Sequence, residues 1–158
     1  MKSRTLLADE LPLVVNALCA AEVGPPEMVK RAADIARIIA YPTARAAISG
    51  PRALVAHVAL RRSASGITLR EQIFVRETVV DAELRLPLYL LIHEMAHVVQ
   101  FLRDGTTNFL ARYLAEYSRG LLAGMGDHQA YLNISYEVEA RLAETYLPPH
   151  LRRGPLMG

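Results

Sequence analysis

Residues 88–105 read LYLLIHEMAHVVQFLRDG, and this stretch decides the fold. Pro87 suits the first turn of a helix, the residues that follow contain no breaker, and Asp104-Gly105 stops the run. The helix predicted over Leu88 to Leu102 is apolar on almost every side, which marks a helix buried inside a domain rather than one lying on its surface. Within it, His93, Glu94 and His97 have the spacing H-E-x-x-H. At about 100° per residue the two histidines lie only about 40° apart and one turn apart in height, so two imidazoles can meet one metal ion. Glu94 is turned about 100° from His93, which places its carboxylate beside the metal rather than on it. Three such side chains in an apolar helix are costly to bury without a metal or other partners.

Working outward, residues 108–123 predict a second helix, with Phe109, Leu110, Tyr113, Leu114 and Tyr117 at spacings of three and four. Gly120, Gly124 and Gly126 mark its end, and a loop leads to a last helix, Tyr136 to Leu147, closed by Pro148-Pro149 ahead of a loose tail. On the other side, GITL at 66–69 and QIFVR at 72–76 predict short strands, and 53–60 is a run rich in Leu, Val and Ala. Helices are predicted over 9–22 and from Pro26 to about Ala40, separated by Gly24-Pro25. The expectation is an α+β domain, mostly helical, with a small β-sheet beside the H-E-x-x-H helix. The 158 residues suffice for one domain, read as a helical part over 1–50, a core over 51–147 and a tail over 148–158.

Composition narrows the function classes. A hydrophobic content of 52% with 22% charged residues supplies a core and argues against a disordered or fibrous chain. A formal charge of only +2, with arginines scattered, argues against nucleic acid as a partner. No apolar run reaches the roughly 18 residues of a membrane span. The apolar stretch at 11–21 follows Asp9 and Glu10, where a signal peptide would already be hydrophobic, so it reads as a helix of the mature fold and the protein as soluble and cytoplasmic. A single cysteine, Cys19, excludes an internal disulfide and a cysteine-based zinc cage within one chain.

A catalytic zinc site needs a third protein ligand and an open position. The remaining histidines, His57, His128 and His150, are isolated in sequence, with His128 set in the glycine-rich loop as an outside candidate. The stronger candidates are Glu137 and Glu139 at the start of the last helix, about 200° apart, so that only one can face the site. Hydrophobicity alone places Val138, Ala140, Leu142, Ala143, Tyr146 and Leu147 on one face with Glu139 near its middle, while Glu137 shares the polar side with Arg141 and Glu144. Tyr131 and Tyr113 are candidate donors to an oxyanion, and Gln100, one turn past His97, is a candidate for ordering a ligand.

The combination of GITL at 66–69, IFVR at 73–76, HEMAHVVQ at 93–100, FLARYLAEY at 109–117, Ala130-Tyr131 and YEVEAR at 136–141 resembles a bacterial zinc metallopeptidase family. That family is similar to the metallopeptidase-like domains associated with extracellular contractile injection systems, and is glu-zincin-like. The resemblance covers about half the chain. It implies a minimal zincin fold, a Zn2+ cofactor, a peptide or protein substrate, and delivery by a secretion or injection system as one route. It nominates Glu137 as third ligand ahead of Glu139, with a supporting acidic or amide side chain four positions later, where this chain has Arg141. On this reading His93, His97 and a glutamate hold zinc and Glu94 serves as general base and then proton donor. The alternative is a non-catalytic metallopeptidase-like module that binds a partner or serves secretion.

Overall fold

The computed structural model describes residues 2–41 and 65–152. The apolar run at 53–60, His57 and the tail from 153 onward lie outside the described residues. The order is β1 (Ser3–Arg4), α1 (Glu10–Ala20), α2 (Pro26–Ile35), β2 (Arg37–Tyr41), β3 (Gly66–Leu69), β4 (Gln72–Arg76), a short 3-10 turn (Glu77–Val79), α3 (Leu88–Asp104), α4 (Thr106–Leu122), α5 (Asp127–Leu132), α6 (Ser135–Glu144) and α7 (Pro149–Arg152). It is a mostly helical α+β fold with a small mixed sheet of order β1-β2-β4-β3.

α3 is the axis of the molecule. Leu91, Ile92, Met95, Ala96, Val98 and Val99 are wholly buried, and each large aliphatic side chain so buried contributes about 1.5–3 kcal/mol. They are covered by Val14, Ala17 and Leu18 of α1, Val29 and Ala32 of α2, Ile38 and Ile73 of the sheet, and Ala140 and Ala143 of α6. Gly105, at φ +79, ends α3 and begins α4 at once, a backbone conformation that costs glycine least. The stretch at 11–21 forms a helix of the core, packed through Val14, Ala17 and Leu18.

Several elements depart from the sequence reading. The second helix stops at Ile35 and does not run to Ala40; Ala36 turns extended (φ −60, ψ 137) and residues 37–41 form β2, parallel to β4 with Ile38 opposite Ile73 and antiparallel to β1. A short apolar run with two adjacent β-branched isoleucines fits either state by period, and pairing with β4 decides it as strand. The glycine-rich connection also contains α5, and the expected loose tail starts with α7.

β3 and β4 form an antiparallel hairpin, Gly66 opposite Val75 and Leu69 opposite Gln72. β3 is an edge strand and lies against α3. α6 packs along α3 from another side. The site lies where β3, α3 and α6 converge.

Candidate metal centre

On α3, His93 and His97 present their Nε2 atoms to a single carboxylate on α6, that of Glu137: His93 Nε2 is 3.0 Å from Oε2 and His97 Nε2 is 3.4 Å from Oε1. One ligand atom from each of the three lies within 4.8 Å of the others, so they form a group able to hold a metal ion. His97 and Glu137 are buried, while the His93 side chain keeps 13% exposure and connects the group to solvent.

The far sides of the imidazoles are also fixed. His93 Nδ1 is 2.6 Å from Glu144 Oε1, and His97 Nδ1 is 2.8 Å from Gln100 Oε1. Both partners accept, so both Nδ1 atoms carry protons, and each neutral ring offers its Nε2 lone pair towards Glu137. Lone pairs facing carboxylate oxygens at 3.0 and 3.4 Å repel unless a positive charge lies between them, either protons on both rings or a cation. This donor set, two imidazole nitrogens and a carboxylate oxygen each backed by an outer partner, fits a metal ion. Without a metal, burial acts to lower His93, but the hydrogen-bonded carboxylates of Glu137 and Glu144 outweigh it and raise it to about 10. His97 is likewise raised: burial opposes the charge and the Glu137 carboxylate overcomes it. Burial acts to raise Glu137, but the two histidines hold it well below the ordinary carboxylate range.

Two tyrosines complete the surroundings of Glu137. Tyr113 from α4 donates to Oε1 and Tyr131 from α5 donates to Oε2, each at 2.8 Å. Burial, then the charge of Glu137, pushes both hydroxyls upward, so both remain donors at neutral pH. An aromatic stack, Phe101 on Phe109 on Tyr136, lies beside His97, with Phe109 edge-on to its ring at 6.2 Å.

Glu94 is buried on the β3 side of α3. Thr68 Oγ1 donates to its Oε2 at 2.7 Å. A Cβ at Gly66 would stand 3.0 Å from its Oε1, so glycine at that point of β3 leaves room for the carboxylate. The charge of Glu94 is felt at both histidines and both tyrosines.

The structure therefore brings together His93, His97 and Glu137, with Glu94, Tyr113 and Tyr131 close by. Glu139 stands elsewhere, its carboxylate bonded to Gln100 Nε2 and to Arg103. The face read from hydrophobicity is half right, with Ala140, Ala143 and Leu147 buried, but its centre is displaced from Glu139. α6 buries Tyr136, Glu137, Ala140 and Ala143, whereas Val138, Leu142 and Tyr146 are about half exposed. A helix that carries a buried polar group on its inner face misleads any count of apolar residues. Arg141 bonds the carbonyl of Leu132, not Glu137. The supporting carboxylate is Glu144, seven positions after Glu137; two full turns bring it back to the same side, a signal that was present in the spacing. Gln100, read as a candidate for ordering a ligand, is wholly buried behind His97. Thr68 had no signal in the sequence. His128 and His150 are exposed and outside the group. Among the described residues no helix is long and apolar enough to cross a membrane. No protein-family model, curated protein or solved structure matches the chain.

Proposed function

We propose that this chain is a zinc-dependent metallopeptidase, with His93, His97 and Glu137 holding the ion and Glu94 as the acid–base residue. The observation that carries this reading is the convergence of two Nε2 atoms and one carboxylate within 4.8 Å, each imidazole held from behind. Zinc bound there supplies a Lewis acid that polarises a carbonyl and acidifies a water molecule. The protein supplies the rest. Glu94 Oε1, the oxygen not held by Thr68, accepts a proton from the attacking water and passes it to the departing amine nitrogen. Thr68 holds the other oxygen and so aims the carboxylate. Tyr131 is the less buried of the two tyrosines and is the donor placed to serve the oxyanion; its hydroxyl leaves Glu137 to do so, and Tyr113 keeps Glu137 in place. A peptide or protein is the substrate class.

Elemental analysis of the purified protein tests the reading. The expected result is near one zinc per chain, lost in His97→Ala and in Glu137→Ala, together with hydrolysis of unfolded protein by the loaded parent alone. A parent that takes up no zinc on reconstitution, or a zinc-loaded parent that cleaves nothing across a broad peptide library, overturns it.

A further inference from the structure

Behind His97 runs a chain of hydrogen bonds. Gln100, wholly buried, points Oε1 at His97 Nδ1, and its Nε2 donates to the Tyr136 carbonyl at 3.0 Å and to Glu139 Oε2 at 2.6 Å. The other oxygen of Glu139 accepts from Arg103 Nη1 at 2.9 Å, and Arg103 is pinned in turn by the Val23 carbonyl and by both oxygens of Asp104. The donor count leaves no freedom. A carbonyl and a carboxylate only accept, so the Gln100 amide must turn its nitrogen to them and its oxygen to His97. An oxygen there requires the His97 proton on Nδ1 and leaves Nε2 free.

We propose that Glu139 is a positioning residue that sets the tautomer of His97 through Gln100. This rests on the reading of His93, His97 and Glu137 as the metal site. The two histidines thus receive the same instruction by different routes. His93 has a carboxylate directly on Nδ1, with the Glu144 side chain 27% exposed. His97 is deeper, and a bare carboxylate behind it would add a buried negative charge close to Glu94 and Glu137. A neutral amide carries the orientation inward while the charge stays at Glu139, whose side chain is 26% exposed and paired with Arg103.

The test compares the parent, Glu139→Gln and the swapped double variant Gln100→Glu/Glu139→Gln. In Glu139→Gln the amide introduced at position 139 keeps its oxygen on Arg103 and turns its nitrogen to Gln100, which favours the reversed Gln100 amide and leaves only the Tyr136 carbonyl holding the parent orientation. In the double variant the carboxylate introduced at position 100 accepts from His97 Nδ1, and the amide introduced at position 139 donates to that carboxylate while accepting from Arg103. Two readouts are taken: zinc affinity by chelator competition, and the protonation of His97 Nδ1 by long-range proton–nitrogen NMR with and without zinc. The expected result is about a 10-fold loss of zinc affinity in Glu139→Gln, the lower end of the effect of losing an outer partner because Gln100 itself remains, and recovery of part of that loss in the double variant, whose new carboxylate also faces the Tyr136 carbonyl. Parent affinity in Glu139→Gln, or a loss the double variant leaves uncorrected while both keep the parent's helix content, overturns the proposal. If the parent binds no zinc, the metal reading fails by itself. The relay is then judged in the metal-free parent at a pH high enough to leave the His97 ring neutral, where a proton retained on Nδ1 supports it and a lone pair there overturns it.

Discussion

Replacing Gly66 with alanine adds one methyl group to β3 at a measurable place. Its Cβ would stand 3.0 Å from Glu94 Oε1, 3.3 Å from Glu94 Cδ and 3.4 Å from Val75 Cγ1. Gly66 does not lie in the left-handed region, so alanine meets no backbone strain and gains about 0.4–1 kcal/mol by restricting the unfolded chain. Against this stands an overpacking penalty of about 1–3 kcal/mol, because Glu94 Oε1 must retreat by about 0.4 Å to ordinary contact while Thr68 holds the other oxygen. The net loss is about 0–2.6 kcal/mol, centred near ~1.3, which for a chain of this size lowers Tm by about 3–5 °C at the centre of that range. The larger effect is expected in catalysis. A displacement of about 1 Å in a reacting group can cost on the order of 100-fold, so about 0.4 Å in the proposed base should reduce kcat by about 3- to 10-fold. Zinc affinity should stay within about threefold of the parent, since none of the ligands touches Gly66. Calorimetric unfolding, zinc titration and peptide hydrolysis on the same preparations make the comparison. An alanine variant with the parent's Tm and kcat would refute the placement of Glu94 against β3, and a variant that loses zinc would show that the strand shapes the metal site instead.

Three further outcomes are expected. Glu94→Gln should retain zinc and its Tm and lose at least about 100-fold in hydrolysis, as measured by product release at saturating zinc; retained activity would assign the proton transfer to another group. His93 stands at about 10 in the metal-free protein, above its unfolded value of about 6.5, so its contribution to stability is complete below about pH 6.5 and is lost as pH rises towards 10. Over that window zinc affinity should rise about tenfold per pH unit for each proton displaced, and calorimetry at pH 7 in buffers of different ionisation heat should count at least about one proton released; none would contradict the charged imidazole. Finally, the bidentate Arg4–Glu10 pair, both bonds at 2.7 Å, ties β1 to α1, and Glu10 also accepts from the Leu7 amide. Removing Glu10 as Glu10→Ala should cost about 3–5 kcal/mol in denaturant unfolding by stranding the largely buried arginine, whereas a loss below about 1 kcal/mol would mean the pair behaves like an exposed one.

What could be read from the chain alone follows the range over which its signals act. α3, α4 and the β3–β4 hairpin announce themselves locally, by Pro87, by Asp104-Gly105 and by short β-rich runs, and His93, Glu94 and His97 share one helix whose geometry is known in advance. β2 was hidden because RIIAY becomes a strand only when β4 lies beside it. The choice between Glu137 and Glu139 was hidden for a related reason: which face of α6 is inward depends on what α3 presents to it, and α3 presents two histidines and an amide. Resemblance ranked Glu137 first where hydrophobicity favoured Glu139, and in the structure Glu137 stands with the histidines. Of the outer partners, Gln100 and Glu144 carry a signal in their helical spacing, whereas Thr68 and the pairing of Gln100 with Glu139 are set by contacts between elements far apart in sequence, and nothing local distinguishes them from ordinary polar residues.

The helix that carries the two histidines is also the one around which the interior is assembled. Its central amide protons cannot meet water through fraying at an end or through the opening of one neighbour, so those of residues 92–99 are expected to exchange only when the whole chain unfolds. For an ion held there, departure past the partly exposed His93 and the loss of the ligand geometry would then be separate events with separate rates. The first leaves an ordered set of ligands that can be reloaded, and the second dismantles the domain.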